Sequence, residues 1–191
     1  DLHYPLRRQR QMCIRDSPVT AHADSFLKIE VEEDIGPKTK GYYCSVIAIL
    51  MLFLELSKED SEKWISKILG TIDLIPDIAK ATKQWHESEK EELKRFKNII
   101  VIGYDKCFPA ATEGALKILE TVQCCVRYYE LEEFMHGIYH GIDKSTLILA
   151  LGNQSRHLNR MVRLLGYLKE HKNATTCLLY TSDAADEEDS V

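Results

Sequence analysis

Hydrophobic and polar positions in the first part of the chain predict a strand, a loop and a helix. Residues 26–31 (FLKIEV) alternate apolar and polar side chains, which is the period of a half-buried strand. A loop at 34–39 (DIGPKT) precedes a predicted helix over 40–57, whose segment 46–54 (VIAILMLFL) is entirely apolar. With its flanks this segment reaches about fifteen residues, short of the roughly 20 that a bilayer span needs, so we interpret it as a core helix and expect no membrane partner.

The next segment is rich in Lys and Glu. Residues 57–95 carry apolar side chains at helical spacing, and Pro76 divides them into two predicted helices because proline breaks a helix interior. Charged helices that follow a core helix suggest a linker between domains.

Strands and helices alternate in the remainder of the chain. Residues 98–103 (NIIVIG) form a continuous apolar run, as in strands that are buried on both faces of a parallel sheet. The pattern then predicts a helix over 107–123, a strand over 125–129, a helical stretch from Glu130, a strand over 145–151, a helix over 155–170 and a strand that begins near Thr175. Such alternation predicts an α/β fold around a parallel sheet.

Both ends of the chain differ from its middle. Residues 7–17 (RRQRQMCIRDS) cluster four arginines, and residues 177–191 (CLLYTSDAADEEDSV) run from a short apolar patch into an acidic tail. Both look like translated sequencing-adapter read-through, and the alternative is a natural basic arm and acidic tail. We expect 1–17 and 177–191 to lie outside the fold, as artefact or disordered chain, and the sheet to break off after residue 176.

Charge and cysteine content narrow the function classes. The formal charge is −5, of which the first seventeen residues contribute +2 and the last fifteen −5, which leaves about −2 for the rest. Charge therefore supports no nucleic-acid partner, and the aromatic residues lack the basic interleaving that stacked bases require. The four cysteines between the ends form no C-x-x-C pair, and no secretory apolar segment is visible, which indicates reduced thiols and a cytoplasmic location.

Residues 113–120 (EGALKILE) place three charged groups on one helical stripe. Glu113, Lys117 and Glu120 are spaced four and three apart, so a helix brings them to one face. An exposed row of salt bridges is one interpretation of this pattern. A site that moves protons is the other, because His136 follows sixteen residues later and a carboxylate, an amine and an imidazole are the groups such chemistry uses.

Metal and nucleotide motifs are weak or missing. Glu132, His136 and His140 have a spacing that could face a divalent cation on one helix, but Gly137 stands where zinc proteases carry a glutamate. Gly137 also weakens the helix that would align them, so we expect no metal. The turn at 101–105 (VIGYD) has a single glycine and cannot be a dinucleotide fingerprint, and neither a P-loop nor a G-x-S-x-G turn occurs.

Four stretches together resemble the sugar isomerase (SIS) domain family. They are the I-G-x-x-T-K-G loop with its apolar helix (35–54), VIGYDKCFPAA (101–111), EGALKILE (113–120) and YELEEFMHG (129–137). The resemblance runs from about residue 24 to residue 172. It is closest to the double-SIS arrangement of the isomerase part of glucosamine-6-phosphate synthase and of fructosamine-phosphate deglycases.

This resemblance implies a fold and a domain layout. The fold would be a three-layer, doubly wound parallel sheet of the flavodoxin-like SIS type, truncated at both ends. Residues 18–57 would be the C-terminal end of a first SIS domain, 58–96 a helical linker, and 97–176 the N-terminal half of a second SIS domain.

The resemblance also implies residue roles. Glu120 would be the base that moves a proton between sugar C1 and C2, with Lys117 stabilising the enediol, and His136 would reach in from a neighbouring subunit to assist ring opening. Lys38, Thr39 and Glu113 would bind the substrate. That substrate would be a phosphorylated amino sugar or fructosamine, the protein a homodimer, and the chemistry acid–base without metal or organic cofactor.

Some positions depart from the family's pattern. Ile138 follows His136-Gly137 where a proline is usual, Lys38 occupies the position of a phosphate-binding serine, and Asp105 replaces a small residue. The segment LEEFMH (131–136) resembles the deglycase branch of the family more than the synthase branch. The resemblance implies that most of the segments that bind the sugar phosphate lie outside this chain, so we expect the chain to be inactive alone. The alternative function is that of a non-catalytic SIS module that senses sugar phosphates.

Overall fold

The structure is a computed structural model, and it describes residues 22, 24–25, 27, 29, 31, 36–57 and 60–181. The chain divides near residue 80 into two compact units. The first unit contains α1 (Lys40–Ser57), α2 (Ser61–Asp73) and the beginning of α3 (Ile75–Leu93). The second unit contains the rest of α3 and a four-stranded sheet with its helices.

The predicted helices of the first unit form, but the described residues of its predicted strand do not form one. Of residues 26–31, the described Leu27, Ile29 and Val31 are outside any strand. The Val31 N–H donates to the Ile29 carbonyl at 3.1 Å, a tight turn that an extended strand cannot make. The prediction was wrong because apolar–polar alternation is local, whereas a strand also needs a neighbour for its backbone groups.

The division of the charged segment at Pro76 is confirmed. Helix α2 begins after Asp60, whose carboxylate caps the helix by accepting from the Lys63 N–H at 3.2 Å. It ends at Asp73, and α3 begins at Ile75 with Pro76 in its first turn, where a missing N–H costs nothing.

Helix α1 forms over the predicted residues, but the described part of its unit does not bury it as a core helix. Leu54 is 3% exposed, whereas Ile49 and Phe53 are 68% and 60% exposed. Helix α1 packs against α2, and Leu54 is its one buried side chain within the described part of this unit; the other apolar side chains are partly buried or exposed. Among the described helices, α1 has the length and apolar composition that a membrane crossing would require.

The second unit is an α/β layer structure built on four parallel strands in the order β2-β1-β3-β4. Its elements are β1 (Asn98–Gly103), α4 (Cys107–Val122), β2 (Cys125–Glu130), α5 (Leu131–Met135), a 3-10 segment (Ile138–Gly141), β3 (Thr146–Asn153), α6 (Leu158–Lys172) and β4 (Thr175–Thr181). The strands and helices predicted after residue 97 are therefore confirmed within a few residues.

Alternate residues of β1 face two different helical layers, as the pleat of a strand requires. Ile99 and Val101 pack with Ala111 and Ala115 of α4 on one face. On the other face, Ile100 and Ile102 share a second core with residues of α5, of the chain that follows α5, and of α6. These residues are Leu131 and Phe134 in α5, Ile142 after it, and Met161, Leu164, Leu165 and Leu168 in α6. The chain thus winds outward from β1 and β3 in two directions, which confirms the predicted doubly wound, three-layer fold.

The last strand extends beyond the predicted end of the sheet. Residues 177–181 continue β4 and pair with β3, with Cys177 opposite Leu149 and Leu179 opposite Leu151. The prediction that 177–181 lie outside the fold was wrong, because this short apolar segment follows a complete crossover helix and completes a strand beside β3. Residues 1–17 and 182–191 lie outside the described residues.

Candidate active site

The charged stripe predicted on α4 forms a compact ion-pair cluster. The Lys117 Nζ lies 2.7 Å from Glu120 Oε2 and 3.4 Å from Glu113 Oε1. The three side chains are between 21% and 31% exposed, so they are partly shielded yet reachable from solvent. The helix periodicity therefore brings a single ammonium group between two carboxylates, as the sequence predicted.

The two carboxylates favour the protonated form of Lys117. Its hydrogen bond to Glu120, helped by the charge of Glu113, raises the pKa of Lys117 above its usual value near 10.5. A raised pKa favours the protonated form, so this stabilisation is present at neutral pH and is lost only as the pH rises through the raised value. Lys117 is therefore a fixed cation, suited to stabilise a developing oxyanion and unsuited to act as a base.

Close packing at the end of β1 positions the stripe. A Cβ on Gly103 would meet the Cys107 carbonyl oxygen, the Phe108 Cα and the Ala111 Cβ, each at 2.9 Å. Asp105 turns the chain with a φ of +46°, and α4 then begins directly against the strand. The glycine therefore lets α4 approach the sheet, and this approach determines where the stripe lies.

Part of the apolar face of α4 is exposed. Ala111, Ala115 and Ile118 do face the core, in agreement with the helical wheel. Leu119 and Val122 are about half-exposed, as is Leu116. These three side chains therefore add exposed apolar area to the helix that carries the stripe.

His136 occupies the end of a very short helix. It caps the C-terminus of α5 and donates its N–H to the Glu133 carbonyl at 3.1 Å, with its side chain exposed. Gly137 follows with a φ of +123°, a conformation that favours glycine. At the other end of α5, the Glu130 carboxylate accepts from the N–H groups of Glu132 and Glu133 at 2.6 and 3.3 Å.

The topology separates His136 from Glu120 within one chain. Glu120 lies on α4, which covers the face of the sheet formed by Ile99 and Val101, whereas α5 packs on the opposite face. Since α4 connects two parallel strands, it runs back toward their amino ends, and Glu120 lies in its last turn. His136 instead follows the carboxyl end of β2. The two residues thus lie on opposite faces and toward opposite ends of the sheet.

The possible metal ligands do not share one helix. His140 lies in the 3-10 segment beyond Gly137, and Glu132 forms an ion pair with Arg160 at 2.8 Å. Within the described ranges, no group of three or more His, Cys, Asp or Glu side chains could hold a metal ion.

Lys38 and Thr39 belong to the first unit. Both lie directly before α1, and the Thr39 carbonyl accepts from the Tyr43 N–H at 3.4 Å. Their predicted contact with the substrate stays a prediction.

Sequence reasoning missed a polar cluster at the carboxyl ends of β1 and β3. The Tyr104 hydroxyl is fully buried; it donates to the Asn153 carbonyl at 2.6 Å and accepts from the Asn153 N–H at 3.0 Å. Burial raises the pKa of Tyr104. The Asn153 Oδ1 is buried without a hydrogen-bond partner among the described residues, and His157 Nε2 lies 3.9 Å from Asp105 Oδ2. The sequence signal was a glycine at or directly before the end of an apolar strand, at Gly103 in β1 and at Gly152 in β3.

This cluster lies where open sheets bind ligands. The strand order reverses between β1 and β3, and ligands of doubly wound sheets occupy the crevice outside the carboxyl ends of the strands at that point. The unit therefore has two polar surfaces, this crevice and the stripe on α4.

These features define a doubly wound α/β protein that carries a lysine between two carboxylates on its first crossover helix. The model of the SIS domain family matches residues 92–188, just over half of the chain. The chain belongs to the SIS domain family, and the predicted family is confirmed.

The similar proteins include an isomerising aminotransferase, a protein assigned as a phosphosugar isomerase and one assigned as a sugar-binding protein. The glutamine–fructose-6-phosphate aminotransferase (isomerizing) of Wigglesworthia glossinidia brevipalpis is 27% identical over 161 residues, which cover 82% of this chain and 26% of the relative. A Clostridium difficile 630 protein assigned as a phosphosugar isomerase aligns with a TM-score of 0.74 and 32% identity, over 88% of this chain and 49% of its own. A Salmonella typhimurium LT2 protein assigned as a sugar-binding protein aligns with a TM-score of 0.73 and 28% identity, over 87% and 51%.

The chain spans about a quarter of the length of the curated relative and about half the length of the two solved structures.

Proposed function

We propose that this chain is part of a double-SIS enzyme that isomerises or deglycates a phosphorylated amino sugar or fructosamine by acid–base chemistry. The observation that carries the proposal is the stripe itself, in which a protonated Lys117 lies between Glu113 and Glu120 on a helix fixed against the sheet. The similarity to an isomerising aminotransferase supports the choice of substrate class.

Glu120 and Lys117 divide the work of an aldose–ketose shift. The Glu120 carboxylate removes a proton from one of the carbons C1 and C2 and returns it to the other. Between these steps a sugar phosphate is an enediol and an amine-bearing substrate an enaminol, whose oxygen carries developing negative charge until it is protonated. In a deglycation the shift leaves an imine at C1, and water hydrolyses that imine to release the amine and the aldose phosphate. Lys117, which stays protonated, stabilises that charge, and Glu113 orients the lysine and the substrate.

The separation of His136 from Glu120 supports a site shared by two copies. Ring opening needs an acid–base group near the ring oxygen, and a His136 on the opposite face of the same sheet cannot reach a substrate held at Glu120. A homodimer resolves this if His136 of one copy faces Glu120 of the other. Lys38 and Thr39 contribute to the phosphate contacts, no cofactor is required, and the protein acts in the cytoplasm.

The 191-residue chain alone should not turn over substrate, since we propose that most of the phosphate grip belongs to segments beyond it. Purified chain incubated with a fructosamine 6-phosphate or with glucosamine 6-phosphate should release neither amine nor sugar phosphate. Measurable release would contradict this part of the proposal.

Glu120→Gln within the complete reading frame tests the proposed chemistry. The amide keeps the shape of the side chain but cannot accept the substrate proton, so turnover should be lost while substrate binding persists. The matched control is Glu87→Gln. Glu87 pairs with Lys90 at 2.7 Å on α3, the same distance as in the Lys117–Glu120 pair. If the stripe were an ordinary surface ion pair, both variants would keep full activity.

A non-catalytic sugar-phosphate sensor is the second candidate. Two observations favour it: the similarity to a sugar-binding protein and the polar crevice at the ends of β1 and β3. In a sensor, Glu120→Gln would change at most the affinity for a sugar phosphate, measured by calorimetry, and the unmodified protein would have no turnover to lose.

A further inference from the structure

Helix α5, which ends in His136, is too short to hold its own orientation. It comprises five residues, and isolated helices of that length are unstable in water because the first turn is costly to form. Leu131 and Phe134 are fully buried and attach one side of the helix to the core. On the far side of His136 the backbone continues through Gly137, which restricts the chain least of all residues. The orientation of His136 therefore depends on further contacts to α5.

Arg160 of α6 supplies such contacts at both ends of α5. Its Nη2 lies 2.8 Å from Glu132 Oε2, near the start of the helix, and its Nε donates to the Met135 Sδ at 3.4 Å. Met135 is the residue directly before His136. A planar guanidinium that contacts two residues of one turn resists rotation of that turn better than a single point charge.

The exposure of the Arg160–Glu132 ion pair indicates that the pair orients α5 more than it stabilises the fold. The Arg160 and Glu132 side chains are 53% and 37% exposed, and ion pairs at that exposure contribute little to the free energy of unfolding. The buried Leu131 and Phe134 already anchor the helix. What Arg160 adds is a second attachment, from a different helix, that limits the rotation of α5 about its own axis.

We propose that Arg160 is a positioning residue that holds His136 in the orientation its role requires. This inference rests on the proposed function, in which His136 faces the substrate bound to a second copy. Arg160 itself touches neither substrate nor reacting atoms.

NMR on the 191-residue chain tests the positioning without any turnover. In Arg160→Met, the backbone order parameter at His136 should fall from about 0.85, typical of rigid backbone, to below about 0.6, and the imidazole resonances should shift. Arg160→Lys keeps the positive charge but lacks the planar guanidinium that contacts two residues at once, so it should have an intermediate effect. The control is Arg163→Met, an exposed arginine one turn further along α6, which should leave both signals unchanged.

Reversing both charges of the pair distinguishes loss of the ion pair from misfolding of the variant. Arg160→Glu should disturb His136 as Arg160→Met does, and adding Glu132→Arg should restore the wild-type order parameter by re-forming the pair. An unchanged His136 signal in Arg160→Met, or an equal change in Arg163→Met, would overturn the proposal.

Kinetics in the complete reading frame separate this inference from the proposed function. Arg160→Met should lower kcat by about 10- to 100-fold with an unchanged KM, since small displacements of a catalytic group cost rates of that order. If the NMR change occurs but kcat does not fall, Arg160 orders α5 without serving catalysis, and the positioning role is wrong. If Glu120→Gln retains full turnover, the proposed function fails independently of the NMR result.

Discussion

Replacing Gly103 with alanine tests how the stripe-bearing helix α4 is held against the sheet. Gly103 is the last residue of β1, and an added Cβ would lie 2.9 Å from the Cys107 carbonyl oxygen, the Phe108 Cα and the Ala111 Cβ. Real Cβ contacts are essentially never shorter than 3.0 Å. Two of the three atoms are backbone and cannot rotate away, so α4 must shift to admit the methyl group.

The expected cost follows from this geometry. Forcing extra atoms into a packed core costs about 1–3 kcal/mol, and the rigid neighbours place Gly103→Ala in the upper part of that range, about 2–3 kcal/mol. Amide hydrogen exchange in β1 should report it, because the buried strand exchanges through opening of the sheet. At 1.4 kcal/mol per tenfold, the β1 amides should exchange about 30- to 150-fold faster.

Gly114→Ala is the matched control for this prediction. Gly114 lies inside α4 with nothing within 4 Å of the added Cβ, so alanine should stabilise the helix by about 1 kcal/mol through propensity alone. The two substitutions are chemically identical and lie on the same strand–helix unit, yet should have opposite signs. Exchange rates within twofold of wild type in Gly103→Ala would refute the close-packing argument.

Two further substitutions test contacts of the second unit. Tyr104→Phe removes the hydroxyl that both donates to and accepts from the backbone of Asn153. This substitution should lower the free energy of unfolding, measured by urea titration, by about 1–3 kcal/mol. The control Tyr128→Phe, at an exposed tyrosine, should change it by less than about 0.5 kcal/mol. Hydrogen bonds from the Ser145 hydroxyl and N–H lower the pKa of Asp143 in the folded protein. The ionised Asp143 therefore stabilises the fold at a pH above its unfolded-state pKa near 3.8, and this stabilisation is lost as the pH falls through the lower pKa of the folded state. The stability gap between wild type and Asp143→Ala should therefore be constant from about pH 5 to 7 and shrink below about pH 4; a gap that grows on acidification would contradict this sign.

Periodicity in the sequence predicted the second unit well because each of its elements has a strong local signal. Residues 99–102 of β1 are all apolar since both faces of this strand are covered, and α4 and α6 carry apolar residues at helical spacing for one face each. The stripe on α4 followed from the same spacing. Local rules were enough wherever the residues that define an element also lie close together in the chain.

Properties that depend on distant segments were not predictable. The alternation at 26–31 did not reveal that the described Leu27, Ile29 and Val31 lie outside any strand, and the apolar run in α1 did not reveal how little of it is covered within the described part of its unit. Strand order, which places Glu120 and His136 on opposite faces, is a property of the sheet as a whole. The Arg160–Glu132 pair joins residues 28 positions apart, beyond any helical period.

Complementation between two inactive copies tests the central claim most directly. Glu120→Gln and His136→Gln, each inactive alone, are co-expressed in the complete reading frame so that mixed dimers form. If each site takes Glu120 from one copy and His136 from the other, a mixed dimer has one intact site, and random pairing restores about one quarter of wild-type turnover. If both residues act within one chain, every site in the mixed dimer lacks one of them, and turnover stays at the level of the single variants, which would contradict the shared site.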